Sequence, residues 1–421
     1  MNVSLRPISI VLALCVAPVP NAAGGERPKE RQALALTANA RVLAKGNTAF
    51  ALDLYARLRE DEGNLFFSPH SISAALGMTY AGSRGDTASQ MRKVLHFGLD
   101  RGRLHPAFRN LTSNLEARQR KGKLELSVAN ALWGQKGLTF VKDFAQGVRK
   151  HHDAELRTVD FAGSTESARQ TINAWVEYRT RGRIKELFQR GVLNRVTALA
   201  LANAVYFKGS WAAPFDKGVT REAPFTLSKG KKVRVPMMYK EDEFGFLDQK
   251  TFKAVVLPYA GKELTMVIFL PNKFDGLPDL ERSLTLDHVT KCFKELSHRE
   301  VKVYLPRFRM SSAFRLDTML KAMGMKDLFA REKADLSGMI DPGQVGGPVY
   351  VQAVVHKAFV DVNEEGTEAA AATGVAVAAE SEPMAPVVFR ADHSFIFMIR
   401  DRRSGSILFM GRVTNPAERE D

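Results

Sequence analysis

One stretch constrains this chain more than any other: Glu364-Glu365-Gly366-Thr367-Glu368, four alanines (369–372), Thr373-Gly374, then Val375-Ala376-Val377. Two strongly β-like runs flank it, at 356–362 and 395–400. Alanines beside glutamates ordinarily start a helix. This run ends instead in Gly and an alternating Val-Ala-Val, and Pro383 stops any helix beyond. With small side chains throughout, the segment suits a loop or a strand equally, so the fold must have a use for both.

At 421 residues the chain could form one large or two ordinary domains. Its 45% hydrophobic and 25% charged content is that of a globular protein with a full core. Residues 1–23 read as a secretory signal: Arg6 gives a positive start, 8–17 are apolar, and Asn21-Ala22-Ala23 ends in small residues. The apolar run is too short to span a bilayer, and nothing later resembles a membrane span. Residues 24–35 read as loose and 36–421 as the folded domain. An exported product, extracellular or periplasmic, would keep only Cys292 and no internal disulfide. Cys292 itself reads as a small buried hydrophobe.

The net charge of +15 suggests affinity for polyanions. The densest basic cluster, Arg118, Arg120, Lys121 and Lys123, follows a helix expected to end near Ala117. Aromatic residues are not interleaved with it, which argues against a nucleic-acid stacking surface. A solvated basic face and an acidic-polysaccharide site both remain open.

Periodicity places helices at 36–58, 71–80, 87–95, 171–181 and 316–323. Strands are expected at 64–69, 124–133, 199–207, 252–258, 264–270 and 301–305. No repeat or low-complexity linker divides the chain, so a single large α+β unit is expected. Phosphate-cradling Gly loops, His-Glu-x-x-His, paired-Cys zinc spacing and the Gly-x-Ser-x-Gly elbow are all missing from the sequence. His151 and His152 are adjacent and would diverge on a helix, which is poor for one metal. Arg84-Gly85-Asp86 reads as a helix entry capped by Asp86. Asn110-Leu111-Thr112 is a glycosylation acceptor only in a eukaryotic secretory route. No cofactor, metal or catalytic residue is expected.

Several motifs in order resemble the serpins, serine-protease inhibitors that act by loop insertion. Asn64-Leu65-Phe66-Phe67-Ser68-Pro69-His70-Ser71-Ile72 resembles the family's shutter strand and helix, and Asn203-Ala204-Val205-Tyr206-Phe207-Lys208-Gly209-Ser210-Trp211 its central strand and breach. His356-Lys357-Ala358, with the opening segment, resembles the strand that leads into the hinge. Phe389 to Phe395 and Phe409 to Pro416 resemble the closing strands. The resemblance implies an α+β domain with a large central mixed sheet, two smaller sheets, eight or nine helices and an exposed reactive loop at about 364–388. It implies that Ser68, Ser71, Asn203 and His356 converge beneath a sheet that must part, and that Trp211 marks where the loop first enters. Taken singly, each could be an ordinary core residue.

For such a protein the hinge would be Glu364, Gly366, Thr367, Ala369 and Ala371. Inserted as a strand, the set Thr367, Ala369, Ala371, Thr373, Val375, Val377 turns inward without a charge, and Glu368 falls in the other set. No Pro interrupts 366–382, so every N–H can join a ladder. A target serine protease would cut the loop, form its acyl-enzyme and be carried along as the loop inserts. Roughly 14 inserted residues span about 46 Å at the rise of an extended strand. Family spacing from Glu364 puts the cut at Glu380-Ser381. Counting back from Phe395 gives a bond nearer Pro383-Met384; Met384-Ala385 is a second candidate, and Ala379-Glu380, after a small apolar run, a third. A monomer whose partner is the protease is expected. The competing reading is a non-inhibitory serpin that binds a ligand or assists folding.

Overall fold

The computed structural model describes residues 35–120, 124–152, 154–341, 349–367 and 386–418. Helix α1 (Ala38–Leu58) begins at Thr37, whose Oγ1 accepts the Ala40 N–H at 3.1 Å. Leu43, Phe50, Leu54 and Leu58 are buried along it. Strand β1 (Leu65–Phe67) leads to α2 (Pro69–Gly82), with Pro69 in the first turn, where no N–H is needed. Helices α3 (Gly85–Val94) and α4 (Arg101–Arg120) follow. A Cβ on Gly77 of α2 would lie 2.7 Å from the Phe108 ring of α4, so only glycine lets these two helices approach so closely.

The chain continues through β2 (Leu124–Gln135), α5 (Lys142–His151), β3 (Glu155–Val159), α6 (Phe161–Arg179) and β4 (Leu199–Ser210). Next come β5 (Arg221–Thr226), β6 (Lys232–Asp248), β7 (Phe252–Pro258), β8 (Leu264–Pro271), α7 (Leu277–Ser283) and α8 (Leu286–Glu295). Then follow β9 (Ser297–Pro306), β10 (Phe308–Arg315), α9 (Leu316–Ala322), β11 (Val351–Asn363) and β12 (Gly366–Thr367). The last strands are β13 (Val387–Arg390), β14 (Phe395–Asp401) and β15 (Ile407–Val413).

Six strands form a mixed sheet in the order β10-β11-β12-β4-β2-β3. Strands β11 and β4 pair directly and in parallel from Val351/Leu199 to Phe359/Tyr206. Strand β4 is buried along nearly its whole length, which is why it reads as one apolar run. The two smaller sheets expected from the sequence are continuous with each other. The 17-residue β6 pairs with β5 and β9, then with β7 at its far end, joining nine strands into one sheet.

The two sheets enclose an aromatic core. Phe66 stacks on Phe409 and Phe397 at 5.3 and 5.7 Å, and Phe207 meets Tyr259 edge-on. Burying one such ring is worth about 2–3 kcal/mol. On the other face of the mixed sheet, Ala200, Ala202, Ala204 and Tyr206 pack under Ile172 and Val176 of α6. Alternation along β4 therefore sends Val205 and Phe207 into the core and the alanines towards α6.

Some local expectations change. Helix α6 begins at Phe161, well before residue 171, and α4 runs on to Arg120. Asp86 lies in the first turn of α3, not at its cap. Asn110 is buried, donating to Ala35 O and accepting from Thr37 N–H, so it offers no glycan acceptor in this fold. Cys292 is buried as expected, and burial raises its thiol pKa.

Candidate functional site

The seam between β11 and β4 organises the site. His356 and Asn203 are register partners across it, and Asn130 of β2 is the partner of Asn203 on the other side. Three neighbouring strands thus present polar side chains at one level, above the N-terminus of α2. The Ser68 N–H donates to His356 Nε2 at 3.1 Å. With Nε2 accepting, the other ring nitrogen carries the proton, and Nδ1–H donates to Asn203 Oδ1 at 2.5 Å. Asn203 Nδ2 donates to Ser71 Oγ at 2.7 Å and to Asn130 Oδ1. Ser68 Oγ, the α2 cap, accepts from Ser71 N–H and donates to Leu408 O at 2.7 Å.

Ser68, Ser71, Asn203 and His356 therefore do converge, and the structure adds Asn130. Burial pushes the His356 pKa down to about 3, so the cluster is uncharged at neutral pH. Separating β11 from β4 must break the His356–Asn203 bond. A neutral network can be re-formed around an incoming backbone, whereas a buried charge would be left stranded.

Above Phe359 and Tyr206 the seam opens and β12 fills it. Gly366 and Thr367 pair antiparallel with Ser210 and Gly209 on one side and with Asn363 and Val362 on the other. Gly366 has φ +148°, and an added Cβ would lie 2.6 Å from Ser210 Cα and on top of the Gly209 carbonyl. Only glycine can make this entry. Thr367 is fully buried, its Oγ1 2.8 Å from Tyr259 Oη. It occupies the inward face that alternation assigned to it.

Trp211 holds the same place. Its Nε1–H donates to Asn363 O at 3.0 Å, its N–H donates to Glu365 O, and its ring stacks on Tyr259 at 4.7 Å. The Glu364 side chain is 1% exposed. Burial acts to raise its pKa, but hydrogen bonds from Arg307 Nε (2.7 Å to each oxygen) and Thr220 Oγ1 (2.6 Å) outweigh this and hold it below the ordinary value. Glu365 pairs with Lys217 at the surface.

Other expected positions stand apart. Arg118 is not available to a polyanion: it is 5% exposed, with Nη1 3.0 Å from Asp401 Oδ1 and Nε 2.9 Å from Glu263 Oε2. The reading failed because α4 continues and turns this side chain inward. The Arg120 side chain, Lys121 and Lys123 lie outside the described residues, as do Ala369, Ala371, Glu380, Ser381, Met384 and Ala385. Sequence reasoning missed Tyr259, Thr220, Lys217, Arg307 and Asn130. Only Asn130 left a signal, as a polar residue in the middle of an alternating apolar strand.

Residues 45–416 match the family described as serpin (serine protease inhibitor). The human leukocyte elastase inhibitor is 42% identical over 384 residues, covering 89% of this chain and 99% of that protein. Among solved structures, Serpin48 of the insect Tenebrio molitor aligns with a TM-score of 0.78 at 33% identity, covering 89% of this chain and 98% of that one. Human thyroxine-binding globulin aligns at 0.81 with 30% identity, covering 90% of this chain and all of that one. With its paired β11–β4 seam, buried polar cluster and short β12 strand, the chain belongs to the serpins, a family of serine-protease inhibitors and not of enzymes.

Proposed function

We propose that this chain is an exported suicide-substrate inhibitor of serine endopeptidases, with residues 1–23 as its removable signal. Strand addition by a cleaved reactive loop is established behaviour of serpins. What carries the reading here is β12: the hinge residues Gly366 and Thr367 already occupy the gap between β11 and β4, in register with both.

Extending that register gives the inserted state. Ala369 would come opposite Phe207, Ala371 opposite Val205, Thr373 opposite Asn203 and Val377 opposite Leu199. Strand β4 has 12 residues, and residues 366–377 match it end to end. Thr373 would then meet the level of the shutter, where its hydroxyl can replace hydrogen bonds lost between His356 and Asn203. The other set would face α6 rather than water, which would account for the small Ala370, Ala372 and Gly374. Glu368 would fall opposite Lys208 at the open end.

The scissile bond proposed is Glu380-Ser381, implying a protease that accepts an acidic residue. The relatives named as leukocyte elastase inhibitors keep an elastase-like target in view, through Met384-Ala385 or Ala379-Glu380. Incubation with a Glu-preferring protease and with an elastase, followed by a denaturing gel and mass spectrometry, tests this. A denaturant-stable complex releasing a peptide that begins at Ser381 is expected. Clean cleavage without a complex would favour a non-inhibitory, ligand-binding role.

A further inference from the structure

Strand β13 takes over where the reactive loop, expected at about 364–388, ends. Its side chains alternate: Phe389 points into the core, while Val388 and Arg390 face solvent, Val388 being 46% exposed. Parallel pairing sets Val388 beside Lys302 of β9 and Arg390 beside Tyr304. On the far side of β9, Lys302 and Tyr304 are the register partners of Glu241 and Tyr239 of β6. Two rows of three side chains therefore cross the outer face of the sheet next to the loop.

Arg390 is the member without a polar partner. Its guanidinium carbon lies 3.6 Å from the centre of the Tyr304 ring, and that ring packs on Tyr239 at 4.9 Å. Tyr239 is held in turn, since its Oη donates to Glu241 Oε2 at 2.7 Å, and Glu241 also pairs with Lys302. The acidic member of the patch is thus already engaged. Arg390 has no side-chain hydrogen bond or ion pair among the described residues. Stacking fixes the plane of its fork and leaves the N–H edge unspent, an arrangement suited to a carboxylate approaching from outside.

We propose that Val388 and Arg390 form a specificity-determining patch that docks the target protease, the Arg390 fork taking a carboxylate on the protease surface beside its cleft. The inference rests on the inhibitory reading above. A specific interface takes about 20–30 residues a side, more than a peptide threaded through a cleft supplies, so the surface adjoining the loop is covered as well. Val388 comes three residues after Ala385 and seven after Ser381. It therefore lies at most about 23 Å of extended chain from either candidate cut. Proteases that accept the same loop residue are then separated by whether they carry an acidic group at this place.

The test is the second-order rate of complex formation with the Glu-preferring protease and with the elastase, for the natural chain, Arg390→Glu, Arg390→Lys and Val388→Asp. With the protease that is trapped, Arg390→Glu should slow association at least about tenfold, and Val388→Asp should slow it as well. Arg390→Lys keeps the charge but loses the fork and should fall between. Added salt should slow the natural chain more steeply than Arg390→Glu. The number of inhibitor molecules consumed per protease trapped should stay the same, whereas a role confined to holding β13 in place would raise it and lower the melting temperature. Should Arg390→Glu fail to melt cooperatively, Val388→Asp, which leaves the stacked rings untouched, carries the test. Natural rates for the folded variants overturn the patch and leave the inhibitory reading standing. No complex between the natural chain and either protease overturns that reading, and the patch with it.

Discussion

The lower and upper halves of one seam are held by opposite chemistries. Below, His356, Asn203, Asn130, Ser68 and Ser71 close β11 onto β4 with neutral hydrogen bonds, wholly out of water. Above, Arg307 grips Glu364 and Lys217 pairs with Glu365 at either edge of an already occupied gap. A neutral cluster can break and re-form as strands slide apart, because neither state strands a charge. Under the proposed mechanism the ionic contacts would fix where insertion starts, with the seam anchored at its top and yielding along its length.

Five substitutions would sharpen or break that contrast. Thr367→Arg has the largest expected effect, since it puts a charge at a position already buried in the gap, from which the inserting strand must extend. Complex formation should vanish on a denaturing gel while cleavage persists, and undiminished inhibition would contradict the mechanism. Arg307→Ala leaves the Glu364 carboxylate buried without its main partner and should cost about 2–3 kcal/mol in urea melts. Asn203→Ala removes bonds to three side chains and should cost about the same, whereas Asn130→Ala should cost only about 1 kcal/mol. Lys217→Ala, at a solvent-exposed pair, should change stability by less than about 1 kcal/mol.

Acid should also tell the halves apart. His356 is held neutral in the fold, with a pKa lowered from 6.5 to about 3. Its stabilising contribution is complete above pH 6.5 and is lost as pH falls towards 3. Glu364, with a lowered carboxyl pKa, contributes fully above the ordinary carboxyl value of 4.5 and loses that contribution only below it. Between pH 6.5 and 4.5 the shutter should therefore weaken while the hinge anchor holds. Buried His70 and His152 and half-buried His105 have lowered pKa values and add to the same slope. In urea melts across this window His356→Gln should flatten the pH dependence, and Glu364→Gln should leave it unchanged.

Much of the fold was legible because burial writes itself into local sequence. Strands β4, β7 and β8 read as apolar runs since both faces are covered or one faces the core. Strand β6 did not, because it serves two partners in turn and carries Pro236, Gly245 and the exposed Glu241-Asp242-Glu243. Shutter residues were found only through the family motifs. Their partners lie far along the chain, 153 residues apart for His356 and Asn203 and 288 for Ser68 and His356. Arg118 was misjudged for the same reason: Asp401, its partner, is 283 residues away. Local pattern reports which face is buried, and says little about what a buried polar group will meet.

The central claim is that insertion requires β11 and β4 to part. Ala204 and Lys357 are register partners across that seam, so Ala204→Cys with Lys357→Cys should form a reducible lock of ordinary disulfide span. The measurement is the melting temperature of this variant after a single cut in the reactive loop, reduced and oxidised. The account predicts a large rise on cleavage in the reduced protein and none in the oxidised one. An equal rise in both forms would contradict it.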